Sequence, residues 1–306
     1  MLTKMPVQLL CSLAFAAALV PAARADVKAA PTFPVKTVEI TVPYAVGGGV
    51  DMLARLIGDQ LGRLGQSVIV ENKAGAGSTV GTRIVAGKPK DGHSLLMMND
   101  AYSLAPAIYK NLGYDPKKDL AAVINVAYAP MLVVVPASSR FKTLADVVAA
   151  GEMMNIEFKM SNVHVPYKGC GPALVDVLGG QVDLAVVTIS GALTYISSGK
   201  LRALAITSSE RSKAVPDVPT VAESGAPGFN LSQWQGLAVP GGTPDNIKMD
   251  IYKTVSAIMK TDAMRKRLED LGYTTADEGP AAFQKIVNDD IDRFAALARK
   301  IGLSAD

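Results

Sequence analysis

Short β-branched strands alternating with amphipathic helices predict an α/β protein built as two lobes, with parallel-rich sheets and a cleft between them. Three observations carry this expectation. The chain alternates strand and helix patterns along nearly its whole length. Two apolar stretches that end in proline, MLVVVP at 131–136 and LAVP at 237–240, bracket about a hundred residues and read as crossings between lobes. Glycine-rich turns follow several strands at the points where helices begin.

The first segment is read as an export signal. Lys4 gives a positive start, residues 7–20 form an apolar run without charge, and Ala23-Arg24-Ala25 is an A-x-A cleavage pattern. That run has 14 residues, short of the roughly 18 that a spanning helix needs, so the mature chain is expected to be soluble and exported. Removing Lys4 and Arg24 lowers the formal net charge from +3 to +1. A nearly neutral protein argues against nucleic acid or an anionic membrane surface as a partner. Cysteine 11 lies in the signal, so cleavage leaves Cys170 alone and no internal disulfide is expected. Stability must then come from the core, and 49% apolar content with 6% aromatic residues suits Ala, Val and Leu layers.

The next element is the most informative. In VEITVPYAVGGGVDMLAR, Val38, Ile40 and Val42 alternate with Glu39 and Thr41 as in a half-buried strand. Gly47, Gly48 and Gly49 then bare the backbone amides, and Asp51 is placed to cap a helix over 52–64. Amides at a helix N-terminus receive a carboxylate or phosphate, although the same glycines also make plain tight turns. Further strands are read at 68–70, 95–98, 131–135, 163–165, 184–188, 201–206 and 237–239. Helices with apolar spacing of three and four are read at 245–261, 263–271 and 280–301, returning to the first lobe. The lobes are expected at 34–132 with 239–306, and at 133–238.

Two more turns resemble the first. NKAGAGSTVG at 72–81 has the spacing G-x-G-x-x-x-G, one residue too long for a dinucleotide fingerprint, and reads instead as a second small-anion cradle. PYKGCGP at 166–172 places Lys168 beside a helix start in which Pro172 costs no hydrogen bond; a solvated surface lysine fits the same pattern. Catalytic readings are thin. His93 and His164 are too scattered for a metal site. A thiol nucleophile at Cys170 would need a base within hydrogen-bond reach. Trp234 reads as core or hinge packing before it reads as a ligand platform. No metal, nucleotide or other cofactor is expected.

The succession VPYAVGGGVDMLAR, VENKAGAGSTVG, NLGYDPKKD, VHVPYKGCGPALVDVLGGQVDL, GKLRALAIT, PDVPTVAESGAPGF and WQGLAVPGGTP resembles the substrate-binding receptors of tripartite tricarboxylate transporters, the Bug proteins. The resemblance runs in order through nearly all of the mature chain. It implies the two-lobed periplasmic binding protein fold, acting as a monomer that closes on a small carboxylated solute and delivers it to membrane permease components. It also implies that Tyr44, Gly47, Gly48, Gly49 and Asp51 in the first loop, and Ala76 and Gly77 in the second, help to hold the solute carboxylate. Asn99 and Asp100 match positions facing the cleft. In the second lobe Lys168 and Gly169 match the YKG turn, and Val187 and Thr188 match a strand end where the family often carries polar residues.

One departure is large. Such receptors continue past the L-A-D-V-V motif with a strand and a Ser/Gly-rich ligand loop, whereas here 144–148 runs straight through Ala149-Ala150 to Gly151. The missing piece is about twenty residues, a strand plus parts of two helices. The second lobe is therefore expected to be shortened near 149–151 and to offer only part of the carboxylate grip. A defective receptor copy and a small periplasmic hydrolase are the competing readings.

Overall fold

The β-branched run Val38–Val42 forms β1, the centre of a parallel trio with β2 (Val68–Asn72) on one side and β3 (Ser94–Asn99) on the other. The computed structural model describes residues 33–158 and 165–302. The export signal and most of the strand expected at 163–165 lie outside the described residues, and Val165 belongs to no strand. Between β1 and β2 runs α1 (Gly49–Gly62); a 3-10 turn (Ala76–Ser78) and α2 (Thr79–Ala86) lead to β3, and α3 (Ala101–Ile108) follows it.

The strand expected at 131–135 is the far end of a much longer one, β4 (Leu120–Pro136). Its first half, LAAVINVAYAP, hides from a period-two reading. Both faces are buried, and register shifts between Ala122 and Ile124 and between Asn125 and Ala127 break the alternation. The second lobe follows with α4 (Leu144–Phe158), α5 (Cys170–Leu178), β5 (Ala185–Thr188), α6 (Ile189–Ser197) and β6 (Leu201–Ile206). The chain returns through β7 (Ser232–Pro240) to α7 (Asp245–Met259), α8 (Asp262–Asp270), β8 (Thr274–Glu278) and α9 (Pro280–Ile301). Strand β8, TTADE, was not expected, since its propensity is poor; it forms by pairing antiparallel to β4.

The path through the sheet is β2-β1-β3-β7-β4-β5, with β6 and β8 also on β4. Strands β1 to β3 are parallel, while β4 and β7 run antiparallel to their neighbours because they carry the chain out to the second lobe and back. Strand β4 is the shared spine. Leu120 to Pro130 pairs with β7 in the first lobe, and Met131 to Pro136 pairs with β5 and β6 in the second.

Alternation along β3 explains the layers. Leu95 and Met97 join Ile40, Leu53, Ile57, Leu61, Ile251 and Val255 on the α1 and α7 face. Leu96 and Met98 face the other way, onto Trp234, Phe283, Val287 and Ile291. The second lobe has its own core, in which Leu132, Val134, Val187 and Ile206 pack on Leu174 and Val177 of α5. Among the described residues no helix is long and apolar enough to cross a membrane.

Candidate functional site

Three helix N-termini meet where the two lobes touch. Helix α1 opens at Gly49 with Gly48 as its cap, α5 at Cys170 with Gly169 as its cap, and α6 at Ile189 with Thr188 as its cap. The first-turn amides of each helix have no partner within the helix, so their convergence makes a region suited to negative charge. The backbones come close. Ala45 donates its amide to the carbonyl of Lys168 at 2.9 Å, and a Cβ built on Gly171 would lie 2.7 Å from the carbonyl oxygen of Val46.

Gly49 is the tightest point. A Cβ there would lie 2.4 Å from Ser190 Oγ, 2.7 Å from Thr188 Oγ1 and 2.8 Å from the Tyr273 hydroxyl. Those hydroxyls form one cluster: Tyr273 donates to the Gly49 carbonyl at 2.9 Å, and its oxygen lies 2.9 Å from Ser190 Oγ. Burial pushes the Tyr273 phenol well above its ordinary pKa, so it stays a donor. Gly48 is less constrained, since a Cβ there would meet Cys170 only at 3.7 Å and 3.8 Å, ordinary contact distances. Cys170 Sγ lies 3.7 Å from Thr188 Oγ1. Thus Gly48, Gly49, Gly169 and Thr188 are brought together, along with Ser190 and Tyr273, which sequence reasoning missed. The polar T-x-S at the start of α6 was a usable signal for Ser190; Tyr273 had none, being one tyrosine among apolar and polar neighbours.

Asp51 is not the cap of its helix. The helix begins at Gly49, three residues earlier than expected, because Gly48 takes the extended conformation that a cap needs, with φ −82° and ψ 167°. Asp51 instead sits in the first turn, buried, and reaches back to accept from the Gly47 amide at 3.0 Å. It also accepts from Arg55 at 3.0 Å and Asn72 at 2.8 Å. Burial alone would raise its pKa, but Arg55, the Gly47 amide and Asn72 together hold it below the ordinary carboxylate value. Asp51 therefore shapes the loop from beneath, and the Gly47 amide is committed to it.

Tyr44 and Asn99 are joined at the end of the first-lobe strands. The Tyr44 hydroxyl donates to Asn99 Oδ1 at 2.5 Å, and the Tyr44 carbonyl accepts from Asn72 Nδ2 at 3.0 Å. Burial raises the Tyr44 pKa, with Ser78 close to its hydroxyl but lacking a well-formed hydrogen bond of its own. Asp100 stands at the N-cap position of α3 without a side-chain cap bond, near Gln233, Asp290 and Arg293; burial lifts its pKa to about 6, against the opposing contact with Gln233. Ala76 and Gly77 lie exposed in the 3-10 turn with positive φ of 42° and 56°, Gly77 close to Tyr109. The Lys168 side chain is exposed, and the defined contribution of this residue is its carbonyl. Trp234 is packing, as expected: its ring meets Phe283 edge-on, and Nε1 donates to Asp290 at 2.7 Å.

Comparison with known proteins places this geometry. Residues 53–155 and 150–303 match the tripartite tricarboxylate transporter family receptor. The chain is 32% identical to the BugT protein of Bordetella pertussis over 298 residues, 89% of this chain and 91% of that one. The solved structure of the periplasmic binding protein BugD superposes with a TM-score of 0.81 at 32% identity, covering 89% of this chain and 99% of that one. MatC from Rhodopseudomonas palustris, solved with bound malate, gives a TM-score of 0.79 at 33% identity over 86% of this chain and 99% of that one. With its two lobes, its strand-to-helix loops meeting between them and these relatives along most of its length, the chain belongs to the tripartite tricarboxylate transporter family of receptors.

Proposed function

We propose that the chain is a periplasmic receptor that takes a small carboxylated solute between its lobes and presents it to the membrane permease components of a tripartite tricarboxylate-type transporter, without a metal, nucleotide or chemical step. The observation that carries this reading is the meeting of three helix N-termini around Thr188, Ser190 and Tyr273. Because Gly47 and Ala45 have spent their amides on Asp51 and Lys168, the carboxylate grip falls to the first-turn amides of α1 and α5 and to the Thr188 hydroxyl. Tyr44 and Asn99 border this region, and Gly169 lets the second-lobe backbone come close to the first-lobe loop, where an added Cβ would lie 3.3 Å from the Ala45 amide nitrogen. The malate bound in MatC supports a carboxylate as the solute class. In this reading the two sheets joined by β4 are the two lobes, and the export signal is removed after Ala25 so that the chain works as a monomer in the periplasm.

A thermal-shift screen against mono-, di- and tricarboxylates, followed by calorimetry in the presence of a chelator, tests it. A carboxylate that raises the melting temperature, binds reversibly without added metal and is recovered unchanged is the expected result. Consumption of the solute at a rate lost in Cys170→Ser would favour the hydrolase reading, and no shift with any carboxylate would favour a receptor copy that has lost binding.

A further inference from the structure

A second concavity lies on the hinge side, behind Tyr273. It has a volume of about 770 Å³ and is walled by the segment after β6 in the second lobe and by α8, β8 and α9 of the first. That volume is within the usual range for small-molecule sites. Basic side chains enter from three directions, Arg211 and Lys213 from the second lobe, Arg265 from α8 and Arg293 from α9, and outnumber the two carboxylates that line the groove, Glu210 and Glu269. Three of these are held in place by carboxylates, Arg211 by Glu223 at 2.9 Å, Lys213 by Glu269 at 2.7 Å and Arg293 by Asp290 at 2.9 Å. Such pairs fix a guanidinium while leaving some of its five N–H donors for another acceptor. Arg265 differs: among the described residues its guanidinium has neither a carboxylate nor a hydrogen-bond partner.

We propose that this groove is a second binding site, for a small anion bearing carboxylate or phosphate groups, distinct from the meeting point of the three helix N-termini, though Tyr273 borders both, and independent of the reading given to that point. The anion completes the coordination of Arg265 and bridges α8 to the Arg211 and Lys213 segment. The two lobes already exchange an ion pair there, between Lys213 and Glu269. A bound anion adds a second tie across the hinge.

The protein carries its own reporter. Trp234, the single tryptophan, donates to Asp290, which in turn holds Arg293 in the groove wall. Titration with inorganic phosphate and, separately, citrate at constant ionic strength should give a saturable change in Trp234 fluorescence with at least one of them, and which one responds identifies the anion class. Arg265→Gln should weaken that response about tenfold, the loss expected for a charge-assisted hydrogen bond, with the melting temperature unchanged because Arg265 has no partner to lose. Lys285→Gln, which removes a like charge outside the groove, should leave it intact. The proposal is overturned if neither anion saturates up to tens of millimolar, if Arg265→Gln binds as tightly as the parent, as an anion in the interlobe region would, or if Lys285→Gln weakens binding equally, which would mean general screening.

Discussion

The hydroxyl of Tyr273 donates to the main-chain carbonyl of Gly49 at 2.9 Å, joining the turn before β8 to the first residue of α1. Ser190 Oγ lies 2.9 Å from the same hydroxyl, so one phenol connects the β1–α1 loop to the second lobe. Tyr273→Phe keeps the ring in the core and removes only this link. A buried carbonyl and a buried serine lose a partner, which should cost about 1–3 kcal/mol. The check is a denaturant melt at neutral pH. A midpoint equal to the parent's would mean that the contact is not maintained in solution.

Gly48 and Gly49 should behave differently on substitution, although they look alike in the sequence. An alanine at Gly48 meets Cys170 at an ordinary distance, and the backbone there is extended, open to any residue. At Gly49 the added carbon falls among Ser190, Thr188 and Tyr273, all closer than 3 Å, and the lobes must move apart to admit it. Gly49→Ala should therefore weaken carboxylate binding by at least about tenfold (1.4 kcal/mol), while Gly48→Ala changes it little. Calorimetry on both variants with the best solute from the screen decides, and equal losses would place the close approach elsewhere.

Which parts of this were legible in the sequence follows from where the signals are local. Strand β1 announces itself by β-branched residues at period two, β3 by a short continuous apolar run, and α1 by glycines leading into an amphipathic stretch. Strand β8 and the first half of β4 could not be read that way. Thr274–Glu278 is a strand only because β4 lies beside it, and Asn125 and the alanines of β4 are covered on both faces by layers distant in sequence. At the site, glycines and strand ends were visible, but their partners were not. Asp51 looked like a cap because Asp before an apolar run usually is one; Gly48 took that place, and Arg55 and Asn72 pulled the carboxylate under the loop.

Asp100 should make stability depend on pH in the acid range. Its pKa in the folded state is about 6, against 3.8 for the free side chain, chiefly because burial disfavours the charge. Between those values the native state holds a proton that the unfolded chain has released. Stability from this group is therefore greatest below pH 3.8 and falls as pH rises through about 6. Asp100→Asn removes the charge and keeps an acceptor for Gln233. Melts from pH 4 to 8 should show the variant gaining on the parent as pH rises, and a constant difference across the range would refute the assignment.

Asp51 has the opposite sign. Its pKa is held below the free value of 3.8 by Arg55, the Gly47 amide and Asn72 acting against burial. The stability it supplies is present above pH 3.8 and is lost as pH falls below it. Asp51→Asn breaks the charge pairing with a half-exposed Arg55 and should cost about 1–3 kcal/mol at pH 7. The cost should shrink toward pH 3. Because the carboxylate supports the loop from beneath, affinity at pH 7 should fall less than stability; a large loss of affinity without a change in melting would instead assign Asp51 to the solute.

Strand β5 carries an apolar residue on its outer face. Among the described residues this strand pairs only with β4, and Val186, pointing away from the core that buries Val187, is 50% exposed. An exposed apolar residue on a strand paired along one edge among the described residues invites pairing between copies, which proteins commonly suppress with lysine. Val186→Lys should lower light scattering of concentrated samples on warming. Its effect on the melting midpoint should stay within about 0.5 kcal/mol, as for other surface changes. A loss of several degrees would show that Val186 is covered in solution, and unchanged scattering would move the aggregation-prone face away from β5.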